Sequence, residues 1–208
     1  KNIAKQAKHG EFGNPDNFCD DYEATNWMSA TVATSDEKII GKIKDICKRD
    51  PRDGKVTTGG IVTVKDSTEN WYLSWTINRQ PQFKAQDKNM VLVWLYALNT
   101  NKEGNFVKKA MRDCTGKEVC EEWLYHIGVD PKEIPDLAEN ACNTTTCFMP
   151  FINAFFQPRK NEDRPKVVPE GSVNFAFLGQ FTETPRDTIF TIEYSMRTGM
   201  ESVYTLLD

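Results

Sequence analysis

The chain has 208 residues, with 26 Lys and Arg against 30 Asp and Glu and a formal net charge of −4. That length allows one large domain or two small ones with a real hydrophobic core. The near balance of charge gives no reason to expect nucleic acid as a partner. The longest mainly apolar run, Met90 to Leu98, is strand-sized and too short to cross a membrane as a helix.

The six cysteines (Cys19, Cys47, Cys114, Cys120, Cys142 and Cys147) match no zinc-site spacing, and His9 and His126 are the only histidines. No metal site is expected. A chain of this size with a normal core does not need disulfides, so free thiols in a reducing cytoplasm are expected. Lys1 to Gly10 is polar and basic, without the apolar centre of a signal peptide. Lys1 to His9 reads as the tail of a helix that began earlier. Asn143-Thr144-Thr145 forms a glycosylation sequon, which carries meaning only in a secreted protein.

Gly10 to Asn26 is loop-like, with Gly13, Asn14 and Pro15 as turn signals. Trp27 to Thr34 reads as a strand. Ser35 can cap a helix running through Lys48, with Ile39, Ile40, Ile43, Ile46 and Cys47 on its apolar face. A β-rich block follows: Val56 to Val64, with Gly59-Gly60 as a bulge or close backbone contact, then Trp71 to Ile77 and Met90 to Leu98. Thr115-x-x-Glu118 fits a capping box opening a helix through His126, with Val119, Trp123 and Leu124 inward. His126 reads as a helix-end residue. Glu133 to Ala141 is a short helix, and Cys142 to Pro165 reads as irregular.

The last stretch organises the rest. Val173, Phe175, Phe177 and Leu178 predict a buried strand, ended by Gly179, where backbone can approach a ligand closely. A turn with Pro185 and Asp187 leads to a helix whose apolar positions are Phe190, Tyr194, Met200, Val203, Tyr204 and Leu207. Strand, glycine, turn and helix is how many nucleotide-binding folds aim a helix N-terminus at an electron-rich group, and equally an ordinary crossover. No G-x-G-x-x-G occurs, so a complete dinucleotide-binding domain cannot be built from these residues.

The blocks WMSATVATSDEKIIGKI, KRDPRDGKVTTGGIVTVKDS, LSWTINRQPQF, CTGKEVCEEWLYHIGV, RPKVVPEGSVNFAFLGQF and PRDTIFTIEYSMRTGMESVY closely resemble the oleate hydratases. These are bacterial FAD-dependent fatty acid hydratases, also called myosin-cross-reactive antigens. The resemblance runs over essentially the whole chain. It implies an internal fragment of a longer protein, since family members begin with a Rossmann FAD fingerprint and continue into a helical region linked to membrane association. The implied fold is mixed α/β (α+β): a β-rich substrate-domain segment over residues 1–165, then the closing strand–helix of a Rossmann-like FAD domain over 166–208.

The resemblance also implies site residues. A T-x-N-x-x-x-H pattern is associated in the family with holding the fatty acid carboxylate; Thr76 and Asn78 match it, and Gln82 stands where histidine is found. Hydroxyl and amide donors suit a carboxylate, but Gln82 cannot become cationic. Taken alone, Thr76 and Asn78 equally satisfy backbone groups at a strand end before Pro81. Trp71, Leu73, Trp75 and Phe83 would suit an acyl tunnel. For FAD, the carried-over residues are Gly179, Gln180, Phe181, Phe190, Thr191 and Ser195, the last two on one helix face.

The catalytic glutamate and tyrosine of the family lie upstream, so no catalytic residue is assigned, and this piece alone is expected to lack hydratase activity. The implied substrates are unsaturated fatty acids such as oleate and linoleate. The family also implies a homodimer with possible peripheral membrane association. A flavin-dependent fatty acid isomerase or oxidoreductase, and a non-catalytic lipid-binding antigen, are the rival readings.

Overall fold

In chain order the helices are α1 (Asp16–Cys19), α2 (Tyr22–Thr25), α3 (Glu37–Cys47), α4 (Gly116–His126), α5 (Ile134–Asn140) and α6 (Ile192–Leu207). The strands are β1 (Trp27–Thr34), β2 (Val62–Thr63), β3 (Leu73–Thr76), β4 (Val91–Ala97) and β5 (Cys142–Met149). The structure, a computed structural model, describes residues 12–185 and 191–207. The expectations that rest on His9, Asp187 and Phe190 fall outside the described residues. The chain is a mixed α/β protein with two compact units: Trp27–Met149, and the residues before it together with those from Pro150 onward.

The Trp27–Met149 unit is built on one antiparallel sheet of order β2-β3-β4-β1-β5. Alternation decides its core. In β4, Val91, Val93, Leu95 and Ala97 are fully buried, whereas Leu92, Trp94 and Tyr96 are half-buried. The buried set packs with Met28, Ala30 and Val32 of β1, the isoleucines of α3, and Val119, Trp123 and Leu124 of α4. All the helices of the unit therefore lie against one face of the sheet.

Local chemistry sets the helix ends. Asp36, not Ser35, caps α3: its carboxylate accepts the N–H of Lys38 at 2.9 Å and of Ile39 at 3.0 Å. A charged acceptor at a helix N-terminus is favoured by the dipole as well as by the bond. The capping box at α4 is present as expected, with reciprocal Thr115 and Glu118 bonds.

Three sequence expectations are corrected. Cys142–Met149 is a strand, paired residue for residue with β1. Its β-branched threonines suit a pleated surface, though no apolar alternation announces them. Val56 to Val64 contributes only the two residues of β2. Val173 to Leu178 forms no strand, and Val173 is 87% exposed. Phe177 N–H donates to the Val167 carbonyl, but among the described residues no ladder is offered to this stretch, and an unpaired strand is not stable in water.

In the other unit α6 is helical as expected, but its packing is the reverse of the apolar pattern. Tyr194, Thr198 and Ser202, four apart, form the buried stripe. Met196, Met200, Val203, Tyr204 and Leu207 are more than half exposed.

Candidate functional site

Thr76 is the last residue of β3 and is 8% exposed. Its hydroxyl donates to the Gly60 carbonyl at 3.0 Å and lies 2.8 Å from the Thr58 hydroxyl. The Gly60 carbonyl serves as its acceptor, but a Cβ at Gly59 or Gly60 would stand in open space, so the close backbone approach anticipated at these glycines is not found. Thr58 also accepts the N–H of Ile77 at 3.3 Å. Asn78 and Gln82 are exposed on the loop that follows. One residue of the three is therefore sheathed by hydrogen bonds and two face outward.

That loop is held by a residue which sequence reasoning passed over. Gln80, 3% exposed, donates to the Asn78 carbonyl at 2.9 Å and accepts the Leu92 N–H at 3.2 Å and the Gln86 amide at 2.7 Å. Gln86 in turn accepts the Gln82 N–H at 2.8 Å and donates to the Met90 carbonyl at 2.9 Å. The two glutamines tie the segment carrying Asn78 and Gln82 to the start of β4. A glutamine beside a proline is the only signal in the sequence, and it does not distinguish this role.

The suggested acyl lining divides. Trp71, Leu73 and Trp75 belong to the closed core, at 0–2% exposure, and Phe83 is 64% exposed. These residues do not share a surface.

In the second unit, Gly179 has φ +91° and open space where a Cβ would stand. Its N–H donates to the Thr198 hydroxyl at 2.9 Å and its carbonyl accepts the Thr182 hydroxyl at 2.7 Å. Gln180 is half-buried, and Phe181 packs near Phe18 with ring centroids 6.2 Å apart. Thr191 caps α6, its hydroxyl accepting the Tyr194 N–H at 3.1 Å. Ser195 is exposed, and its carbonyl accepts the Thr198 hydroxyl at 2.8 Å. Gly179, Thr191 and Ser195 thus converge on the first turns of α6.

Behind them lies Arg164, 4% exposed and also unanticipated. Its Nη1 donates to the Tyr194 hydroxyl at 3.1 Å, and that hydroxyl donates to the Thr182 carbonyl at 2.5 Å. The Nε and Nη2 groups, the side-on fork with which a guanidinium grips an oxyanion, have no hydrogen-bond partner among the described residues. Burial pushes the Arg164 pKa down, with the Arg159 cation adding to the effect.

A third polar cluster sits on α4. Glu122 is fully buried, and its carboxylate accepts the backbone N–H groups of Asn105 at 2.6 Å, Phe106 at 2.8 Å and Val107 at 2.7 Å. His126 Nε2 adds a fourth contact at 3.0 Å. Because a carboxylate only accepts, Nε2 carries the proton. Burial opposes ionisation of Glu122, but the bonds from His126 and the three amides outweigh it and hold the pKa below the usual value. His126 is the last residue of α4, as the sequence suggested, and it also lines a cleft of about 650 Å³ with Lys38, Lys42 and Tyr125.

The six cysteines are free thiols. Among the described residues no helix is long and apolar enough to cross a membrane.

Fold and site together define a mixed α/β chain with neutral polar groups at a strand end in one unit and a glycine–helix junction in the other. The chain belongs to the MCRA family, whose profile matches residues 1–204. It is 49% identical over 211 residues to the oleate hydratase of Streptococcus pyogenes serotype M49 (strain NZ131), a match covering all of this chain and 35% of that protein. It is 32% identical over 203 residues to the linoleate hydratase of Lactiplantibacillus plantarum, covering 92% of this chain and 35% of that one. The chain therefore spans about a third of the length of the relatives it matches.

Proposed function

We propose that the protein to which these residues belong is a fatty acid hydratase, adding water across the cis-9 double bond of oleate to give 10-hydroxystearate. What supports the reading is the likeness to two hydratases named for unsaturated fatty acids. The single structural observation behind it is the polar group closing β3: a threonine hydroxyl fixed between Thr58 and Gly60, followed by two outward amides. Asn78 and Gln82 offer amide donors to a carboxylate at the surface, and Thr76 joins them if the acid displaces the Gly60 carbonyl as its acceptor. Neutral donors hold the acid without a deeply buried ion pair. Alkyl burial, at about 0.8 kcal/mol per CH₂, then supplies most of the affinity.

In this reading the substrate-domain part of residues 1–165 is carried by the Trp27–Met149 unit, and residues 166–208 return to an FAD domain. The open space at Gly179, the capped start of α6 and the unpaired Arg164 fork suit an anionic dinucleotide. Bound FAD would order the site and complete its electrostatics without net redox change. Gly179, Gln180, Phe181, Thr191 and Ser195 are the residues that would hold it, with Phe190 among them from the sequence. The acid and base that move protons lie outside this chain, which alone is inactive. A cytoplasmic homodimer with peripheral membrane attachment completes the proposal.

The full-length protein, given oleate in heavy-oxygen water, should yield a hydroxy acid carrying the label, read by mass spectrometry. Thr76→Val with Asn78→Ala should raise KM by about tenfold to a hundredfold and leave kcat nearly unchanged, as expected for lost head-group binding. Flavin bleaching with no label incorporated would instead indicate an isomerase or oxidoreductase. Oleate binding without any hydroxylated product would indicate a lipid-binding role.

A further inference from the structure

The ladder between β3 and β4 ends at Thr76, which pairs with Trp94. Continued by two residues, that register would set Asn78 opposite Leu92. Instead the side-chain amide of Gln80 stands between the two main chains. Its Nε2 donates to the Asn78 carbonyl at 2.9 Å, and its Oε1 accepts the Leu92 N–H at 3.2 Å. A primary amide offers the same donor and acceptor as a peptide group. Gln80 therefore acts as a spacer where the next rung would be, and holds Asn78 at a fixed offset from β4.

Gln86 repeats the device further along the loop. Its Oε1 accepts the Gln82 N–H at 2.8 Å, and its Nε2 donates to Gln80 Oε1 at 2.7 Å and to the Met90 carbonyl at 2.9 Å. Each outward amide, Asn78 and Gln82, is thus fixed through its own backbone by one glutamine. Gln80 is fully committed: Oε1 accepts two bonds, and the second reach of Nε2 is to the Leu92 carbonyl at 3.4 Å. At 3% exposure, it has no donor or acceptor left for a ligand.

We infer that Gln80, with Gln86 behind it, is the positioning residue of the head-group site: it sets where the Asn78 and Gln82 amides meet the carboxylate and does not touch the acid. The inference rests on the reading of Thr76, Asn78 and Gln82 as that site. Thr76 is held by the ladder itself. The other two lie beyond it on a loop, and a neutral donor binds well only at the right distance and angle. A glutamate of the same shape would not serve, because in its ionised form it only accepts and would turn the Asn78 contact repulsive.

In the full-length, FAD-loaded protein, Gln80→Met keeps the length of the side chain and removes the amide. It should raise the KM for oleate by about tenfold with kcat nearly unchanged, the mark of lost ground-state binding. The inhibition constant of oleyl alcohol, which has the same chain and no carboxylate, should not move. Gln86→Met, which releases Gln82 alone, should show the same split with a smaller rise. An unchanged KM for oleate in Gln80→Met overturns the inference. So does a fall in kcat, or a parallel loss of oleate and oleyl alcohol binding, since Gln80 would then support the fold and not the head group. Should Gln80→Met fail to fold, Gln86→Met decides by the same measurements. Thr76→Val with Asn78→Ala separates the two levels of the argument. If that variant raises KM and the glutamine variants do not, the head-group reading stands and this inference falls; an unchanged KM there removes both.

Discussion

The two units solve the same problem with opposite success. The Trp27–Met149 unit buries its apolar residues on its own: eleven of its large side chains, among them Trp71, Trp75, Trp123 and Leu95, are fully buried. In the other unit the longest helix buries one aromatic and two small hydroxyl residues while Met196, Met200 and Leu207 stay in solvent. A helix normally hides its apolar stripe. The lesson is that amphipathic pattern states which face wants burial, and only the surrounding chain states whether it is met.

The sharpest way to test that contrast is to break the polar knot inside the self-sufficient unit. Glu122→Gln removes the charge that collects three backbone N–H groups and His126. Breaking a buried charged network of this kind costs about 3–5 kcal/mol. The sign with pH follows from the lowered pKa of Glu122. Its ionised form contributes stability above the ordinary glutamate value of about 4.3, and that contribution is lost as pH falls through the depressed folded value. Urea melts of wild type and variant should therefore differ most near neutrality and draw together in acid. A gap that is constant with pH would show that the carboxylate's charge is not what holds residues 105–107.

A smaller effect is expected at the start of α6. Thr191→Ala removes the hydroxyl that accepts the Tyr194 N–H and should cost about 1 kcal/mol. Hydrogen exchange should show faster opening confined to the first turn of α6, with amides of β1 and β4 unchanged. If exchange accelerated equally in both regions, the two units would not be energetically separate.

How much of this was legible follows the same division. β1 was readable to the residue, and β4 nearly so, because alternating Val, Leu and aromatic residues carry their period in sequence. The capping box at Thr115 was equally plain, since both of its bonds are local. β5 was not: Cys142 to Met149 has polar threonines on both faces, and only pairing with β1 makes it a strand. Val173 to Leu178 failed in the other direction, showing a strand's alternation without a neighbour to pair with. At the candidate site Thr76 was legible as a strand-end donor. Gln80, Arg164 and Glu122 were not, because each acts on residues distant in sequence or fixed only by the fold.

The smallest expected effect bears most directly on the comparison. Met200 is 53% exposed at the middle of α6, beside a shallow cavity of about 630 Å³ that it lines with Met196 and Tyr204. In this chain alone Met200→Ser should change stability by no more than about 0.5 kcal/mol, the usual range for surface positions. In the full-length protein the same substitution should cost more, about 2 kcal/mol, if chain beyond these residues packs on the stripe and buries the methionine. Thermal unfolding of the two lengths, each with and without Met200→Ser, separates the cases. Equal small shifts would mean that the stripe stays open in the whole protein and that α6 is held by Tyr194, Thr198 and Ser202 alone.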